Sequence, residues 1–197
     1  MSKQKPLFFG LTGGIGVGKS SVAKAFQKQG IPCLDADQVA RGLREPGKAG
    51  HAAILKRFGT DDRLKLREFI SQDPQAKKDL EAILHPLIQA ESNLLLKELS
   101  KSHPHAPIIL YEATLLLEAG RKEDFDSLIV VTAPLEDRIT RIIARDQMSR
   151  EAALRLIQAQ NDDEYRLKHA HHVIVNQGSL EDLDQEVRKV LDQIISA

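Results

Sequence analysis

The sequence predicts an α/β protein built on a mostly parallel sheet. Short apolar runs recur along the chain, and long helical patterns lie between them. Because this alternation is typical of βαβ units, we expect each strand to be followed by a helix that packs on the sheet. The runs that predict strands are Leu7–Thr12, Ile31–Asp35, Ile108–Tyr111, Leu128–Thr132 and Val173–Asn176.

The bulk composition excludes several classes of protein. A chain of 197 residues fits one compact domain, or one domain that carries a small insertion. Its 28 basic and 28 acidic residues balance to a formal charge of zero, which argues against a nucleic-acid-binding protein. The single cysteine, Cys33, excludes an internal disulfide and a four-thiolate zinc site. The first apolar run is too short for a signal peptide or a membrane span, so we expect a cytoplasmic protein with no membrane partner. No oligomeric state is predicted.

A long helical segment separates the second and third predicted strands. Residues 39–106 contain helical patterns and no convincing strand, and Pro86 should kink or divide the last of these helices. We interpret this segment as a helical insertion mounted on an α/β core, which is formed by residues 1–38 and 107–197.

A glycine-rich segment directly follows the first strand. Gly13–Ser20 reads Gly-Gly-Ile-Gly-Val-Gly-Lys-Ser and matches G-x-x-x-x-G-K-[ST], the phosphate-binding loop. Glycines allow backbone N–H groups to surround an anion, and the next helix directs its positive end at the same phosphates. Lys19 is expected to reach the β- and γ-phosphates, and Ser20 to bind Mg²⁺. From average residue usage, chance produces this pattern in about one chain of this length in a hundred.

Two carboxylates, Asp35 and Asp37, lie at the end of the second strand. If the chain stays extended there, both side chains point the same way at the carboxyl end of a parallel sheet, where ligands bind. One of them would then accept the proton of an attacking hydroxyl. Asp is also favoured at the start of a helix, and these residues alone leave the two interpretations about equal. The preceding phosphate loop favours catalysis for at least one of them.

An arginine-bearing helix is predicted after Pro134. Arg138, Arg141 and Arg145 are spaced i, i+3 and i+7, which puts them on one face. Phosphoryl transfer builds negative charge on the equatorial oxygens, and the planar fork of arginine matches them. A solvated face, or pairing with neighbours such as Asp146, is the alternative. The phosphate loop favours a cation clamp.

The C-terminal residues predict structure rather than chemistry. His169, His171 and His172 lack nearby cysteines and a helical i, i+4 pair, so they do not predict a metal site. Ser179 and Asp182 form a capping box, which predicts the start of the last helix.

Taken together, these motifs resemble the dephospho-coenzyme A kinase family, which transfers a phosphate from ATP to the ribose 3′-hydroxyl of dephospho-coenzyme A. The matching segments are Leu11–Gly16 with Gly18–Ser20, Asp35–Asp37, Leu84–Leu87, Arg141 with Arg145–Asp146, and Asn176–Gly178. The resemblance implies a P-loop kinase with a five-stranded parallel sheet flanked by helices. It also implies that the helical insertion binds the acceptor and that a helical lid covers about residues 138–165.

The resemblance also implies site residues. Lys19, Asp37 and Arg141 would be catalytic, with Asp37 as the base. The residues implied to bind ATP are Gly14, Ile15, Gly16, Val17, Gly18, Lys19, Ser20, Ser21, Arg145 and Asn176. The residues implied to contact dephospho-coenzyme A are Asp35, Arg67, His85, Leu115 and Glu118. Mg²⁺ would accompany ATP, with Ser20 as its ligand.

The chain departs from the family pattern in three places. Thr114 stands where the family usually has the proline of Pro-Leu-Leu-x-Glu, His171 replaces the aspartate of an Ala-Asp pair, and the stretch after Gly59 is shortened. A nucleoside or nucleotide kinase with the same core is the alternative function. A GTPase switch is disfavoured, because the sequence lacks the Asp-x-x-Gly and Asn-Lys-x-Asp segments.

Overall fold

The computed structural model describes residues 5–160 and 163–196. A five-stranded sheet lies at its centre, with the strand order β2-β3-β1-β4-β5. The strands are β1 (Leu7–Thr12), β2 (Cys33–Asp35), β3 (Ile108–Glu112), β4 (Ser127–Thr132) and β5 (His172–Val175). Strand β1 pairs in parallel with β3 and β4, and β4 pairs in parallel with β5. The five-stranded parallel sheet predicted from the sequence is therefore confirmed, with strand ends that move by at most two residues.

Helices follow the strands and also form a separate group. The helices are α1 (Lys19–Lys28), α2 (Ala36–Leu43), α3 (Ala49–Phe58), α4 (Arg63–Gln72), α5 (Pro74–Ser102), α6 (Leu135–Asp146), α7 (Arg150–Gln158), α8 (Asp163–Lys168) and α9 (Leu180–Ser196). The chain divides into two compact units. The sheet unit comprises the described parts of Met1–Leu34 and Leu99–Ala197, and the helical unit comprises Asp35–Glu98. Among the described residues, no helix combines the length and the apolar character needed to cross a bilayer.

The core of the sheet unit explains where the phosphate loop starts. All five residues of β3 are buried, and so are the first five of β4, as expected for central strands covered on both faces. Apolar side chains of α1 and α9 pack against β1, β3 and β4 in one continuous core. Because β1 lies between β3 and β4, the loop after Thr12 leaves the middle of the sheet at its carboxyl edge, where parallel sheets bind ligands.

The longest helix of the chain, α5, runs through Pro86. It spans 29 residues, and Pro86 lies inside it. Of the two outcomes expected at Pro86, a kink or a division, the division does not occur. Proline removes one backbone hydrogen bond and crowds the preceding turn, yet α5 has buried residues on both sides of it, including Ala76, Ser92 and Leu96. Tertiary packing on either side therefore outweighs the local cost.

The start of α9 is the capping box predicted from the sequence. The Asp182 carboxylate accepts from the Ser179 backbone N–H at 2.8 Å, and the Asp182 N–H donates to the Ser179 hydroxyl at 3.2 Å. The hydrogen bond from the Ser179 N–H, followed by that from its hydroxyl, holds the pKa of Asp182 below its usual value. Behind this cap, α9 buries Leu183, Val187 and Val190 against the core.

Candidate active site

The phosphate loop has a backbone that requires glycine at specific positions. Gly16 and Gly18 have φ values of 78° and 85°, a left-handed conformation that glycine adopts without steric cost. A Cβ atom at Gly18 would also overlap the side-chain amide nitrogen of Asn176, and one at Gly13 would overlap the carbonyl oxygen of Val131. The loop thus passes close to the ends of β4 and β5, and a side chain at either position would displace it.

Lys19 and Ser20 occupy the first turn of α1, directly after the loop. The Lys19 ammonium donates to the carbonyl oxygen of Gly13 at 2.9 Å, which folds the side chain back over the loop. The Ser20 hydroxyl donates to the carboxylate of Glu112 at 2.8 Å. Glu112 is the last residue of β3 and is 8% exposed. A hydroxyl beside a carboxylate is a donor set of the kind that Mg²⁺ prefers, since this hard cation binds oxygen ligands.

Sequence reasoning missed Glu112. The signal that points to it is an acidic residue at the end of an otherwise apolar strand, Ile108–Glu112, in a chain that carries a phosphate loop. Its relation to Ser20 depends on the pairing of β3 with β1, which joins residues 92 positions apart in the sequence. The sequence pattern of β3 alone does not specify that this strand pairs with β1.

A cavity of about 520 Å³ opens over the phosphate loop. The predicted ATP-binding residues that line it are Ile15, Gly16, Gly18, Lys19, Ser20, Ser21 and Arg145. Arg141 and Thr114 line it as well. The fold therefore brings together, around one cavity, residues from the phosphate loop, α1, α6 and the segments after β3 and α7.

Arg141 and Arg145 bring positive charge to this cavity from α6. The Arg141 guanidinium donates to the carbonyl oxygens of Asn176 at 3.1 Å and Val17 at 3.3 Å. Arg145 forms two hydrogen bonds with Asp146, at 2.8 and 2.7 Å. Those hydrogen bonds raise the pKa of Arg145 and lower that of Asp146, so both groups remain charged.

Arg138 does not belong to a cation clamp, and that part of the sequence interpretation is wrong. Its side chain is 5% exposed; Nε donates to the Ile15 carbonyl at 2.9 Å, and one terminal nitrogen lies 2.5 Å from the Asp163 carboxylate. The spacing placed Arg138 on the arginine face correctly. A carboxylate from α8, distant in sequence, neutralises the charge that the clamp would have used.

Asn176 holds the phosphate loop through Val17, which is a residue of that loop. The Asn176 side-chain amide donates to the Val17 carbonyl oxygen at 2.8 Å, and Val17 is completely buried in the core of the sheet unit. The family resemblance assigned Asn176 to ATP binding. In the structure its amide hydrogen bond fixes the loop at the end of β5.

The two aspartates after β2 have different environments. The Asp35 carboxylate accepts from the backbone N–H groups of Asp37 at 2.7 Å and Gln38 at 3.2 Å, so Asp35 is the N-cap of α2. Its second oxygen lies 3.7 Å from Arg41. The Asp37 side chain is exposed, and within the described helical unit no hydrogen bond or ion pair engages its carboxylate. Asp37 is therefore the carboxylate left available for chemistry.

A second cavity, of about 400 Å³, lies within the helical unit. Asp37 lines it together with basic and acidic side chains from α2, α3, the start of α4 and the segments that connect them; these are Arg41, Arg44, His51, Asp61 and Arg63. His51 and Asp61 pair at 3.1 Å. Within the described helical unit, the guanidinium groups of Arg44 and Arg63 have no ion-pair partner, so they present positive charge toward the cavity that Asp37 lines.

Known proteins resemble this chain in both sequence and fold. A protein-family model described as dephospho-CoA kinase matches residues 7–182. The chain belongs to the dephospho-CoA kinase family. It is 40% identical over 190 residues to the dephospho-CoA kinase of Hydrogenovibrio crunogenus, covering 93% of this chain and 95% of that protein. It is also 40% identical to the enzyme of the same name from Coxiella burnetii, over 86% of this chain and 87% of that protein.

Solved structures agree with this assignment. The structure of TT1252 from Thermus thermophilus is 37% identical in sequence and superposes with a TM-score of 0.79. The match covers 96% of this chain and 98% of TT1252. A dephospho-CoA kinase from Campylobacter jejuni is 30% identical over 95% of this chain and 96% of its own, with a TM-score of 0.69. A shikimate kinase from Acinetobacter baumannii, at 22% identity and a TM-score of 0.54, shares the fold alone.

The other residues that the family resemblance assigned to the acceptor are divided between the two units. Arg67 and His85 are exposed in the helical unit, and neither lines the cavity beside Asp37. In the sheet unit, Leu115 is 48% exposed, and the Glu118 carboxylate lies 2.6 Å from the buried guanidinium of Arg166. Motif matching identified these positions, but it could not show the contacts that they make in the fold, such as that of Glu118 with Arg166.

Proposed function

We propose that this chain phosphorylates the ribose 3′-hydroxyl of dephospho-coenzyme A with ATP, giving coenzyme A and ADP. The observation that carries the proposal is the cavity over the phosphate loop, which Lys19, Ser20, Arg141 and Arg145 all line in a chain of this family. A triphosphate fits these groups, because backbone N–H groups, an ammonium and two guanidinium groups together balance its charge.

On the nucleotide side, each cation has a distinct task. Lys19 would leave the Gly13 carbonyl to contact the β- and γ-phosphates, and Arg141 would stabilise the charge that develops on the transferred phosphoryl group, assisted by Arg145. Ser20 and Glu112 would hold the Mg²⁺ that accompanies ATP, and this ion would neutralise charge on the phosphate oxygens.

On the acceptor side, Asp37 would act as the general base. It would take the proton of the 3′-hydroxyl as that oxygen attacks the γ-phosphorus and the bond to the ADP oxygen breaks. Arg44 and Arg63 line the same cavity as Asp37, and their planar guanidinium groups would match the diphosphate of dephospho-coenzyme A. The cytoplasm remains the expected location of this reaction.

The direct experiment incubates the purified protein with ATP, Mg²⁺ and dephospho-coenzyme A. We expect one ADP for each product molecule, a product mass that corresponds to one added phosphate, and an NMR spectrum that places the phosphate on the ribose 3′ position. A panel of nucleosides and nucleoside monophosphates, tested in parallel, addresses the alternative acceptor class. Clear preference for one of those compounds would overturn the proposal while leaving the chain a kinase.

A further inference from the structure

Ile15 is held by the helices that follow β4. Its backbone N–H donates to the side-chain oxygen of Gln160 at 2.7 Å, and its carbonyl accepts from Arg138 at 2.9 Å. Its side chain packs against an apolar cluster formed by α6 and α7. Ile15 is therefore held by two hydrogen bonds and by the packing of its side chain. The two hydrogen-bonding partners lie 145 and 123 positions away along the chain.

Arg138, one of the residues that hold Ile15, is itself held by a series of ion pairs. Arg138 pairs with Asp163, Asp163 lies 3.5 Å from Arg166, and Arg166 pairs with Glu118 at 2.6 Å. Arg166 is 1% exposed. Breaking a buried pair by removing one partner destabilises the fold, so variants of these residues would report mainly on stability.

A substitution of Gln160 can test how the phosphate loop is positioned without breaking an ion pair that stabilises the fold. It follows α7, is half-buried, and forms part of the wall of the cavity over the loop. Its oxygen satisfies the N–H of Ile15 without any charge. Removal of that oxygen should leave the ion pairs intact and release only the peptide group between Gly14 and Ile15.

We propose that Gln160 is a positioning residue for ATP. By accepting the Ile15 N–H it fixes the loop so that the backbone N–H groups that follow are directed at the triphosphate. Helices α6 and α7 and the phosphate loop then respond to the nucleotide as one element. The inference rests on the proposed binding of ATP to this loop, and it adds a residue that never needs to touch the phosphates.

The test compares Gln160→Met with Gln158→Met. Methionine keeps the length of the side chain and removes the acceptor, and Gln158 is an exposed glutamine two residues earlier that serves as the matched control. For Gln160→Met we expect the Kd and KM for ATP to rise about tenfold, a change typical of a buried donor that loses its partner. The KM for dephospho-coenzyme A and the melting temperature should match those of the wild type. Gln158→Met should behave as the wild type.

Amide exchange of Ile15, followed by NMR without nucleotide, gives a readout independent of turnover. The exchange should accelerate in Gln160→Met and slow again in Gln160→Glu, whose carboxylate oxygen accepts the same N–H. Unchanged ATP affinity in Gln160→Met would overturn the inference. Tighter ATP binding would also overturn it, because Gln160 would then be a group that the nucleotide must displace. A wild-type protein that fails to bind ATP with Mg²⁺ would instead remove the proposed function and this inference together.

Discussion

Asp35 and Asp37 show how a single residue takes its role from the backbone around it. The sequence left capping and catalysis about equal for this pair, on the assumption that both residues stay extended. In the structure β2 ends at Asp35 and α2 begins at Ala36, so the two side chains no longer point the same way. The cap requires the Asp35 carboxylate, and the Asp37 carboxylate stays available.

The two aspartates therefore respond differently to the same substitution. Asp37→Asn should lower kcat roughly 10²- to 10⁴-fold, because the amide cannot take the hydroxyl proton. Asp35→Asn should retain most of the activity, since asparagine caps helices as well as aspartate does. Steady-state kinetics on both variants make the comparison. If Asp35→Asn suffers the large loss and Asp37→Asn does not, the catalytic base has been assigned to the wrong residue.

Lys19 provides the second prediction at this scale. Lys19→Ala removes the one ammonium that the phosphate loop carries in its own motif, and turnover should fall to background. The fold should persist, because the side chain is only half-buried and its hydrogen bond to Gly13 lies within the loop. Circular dichroism and the melting temperature check the fold. A turnover close to that of the wild type would exclude Lys19 from the mechanism.

At the scale of single elements, two of the histidines that the sequence did not assign to a metal lie beside each other at β5: His171 just precedes the strand and His172 is its first residue. The His171 Nδ1 accepts the Leu128 N–H at 3.0 Å, at the position where the family pattern has an aspartate, which is also an acceptor. His172 stacks on Phe9 with ring centroids 5.9 Å apart. Burial first, and the neighbouring His171 second, lower the pKa of His172.

This lowered pKa makes folding depend on pH. The folded protein resists protonation of His172, whereas the unfolded chain takes up the proton near pH 6.5. The stabilisation is therefore complete above that pH and is lost as the pH falls through the lower pKa of the folded state. Between pH 7.5 and 5.5, urea midpoints of His172→Phe should fall less than those of the wild type. An equal fall in both proteins would contradict this assignment.

Elements with strong local patterns were predictable, and contacts between distant residues were not. The five strands, the phosphate loop and the capping box of α9 depend on neighbouring residues, and the sequence shows them directly. Glu112 beside Ser20, and the pairing of Arg138 with Asp163, depend on which strands and helices become neighbours. Helix α5 passes through Pro86 for a related reason, because packing along 29 residues outweighs one local signal.

At the scale of the whole molecule, the two units divide the proposed chemistry. The sheet unit contains the cavity over the phosphate loop, and the helical unit contains the cavity beside Asp37. Substitutions of residues that line the cavity over the phosphate loop should therefore change the kinetic parameters for ATP. Substitutions of residues that line the cavity beside Asp37 should change the parameters for the acceptor.

Arg44 tests this division of roles. Arg44→Gln should raise the KM for dephospho-coenzyme A about tenfold, as the loss of a charge-assisted contact to a phosphate costs about 1.5 kcal/mol or more. The Kd for ATP should not change. The matched control is Arg188→Gln, which removes an exposed arginine from α9 and alters the net charge by the same amount. A higher Kd for ATP with an unchanged KM for the acceptor would contradict the division.

The central claim is that backbone amides and the Lys19 ammonium at the start of α1 surround a magnesium-bound triphosphate. Calorimetric titration of the purified protein with ATP, with and without Mg²⁺, tests it most directly. We predict saturable binding that weakens when Mg²⁺ is chelated and weakens again in Lys19→Ala. The absence of magnesium-dependent affinity for any nucleoside triphosphate would contradict it.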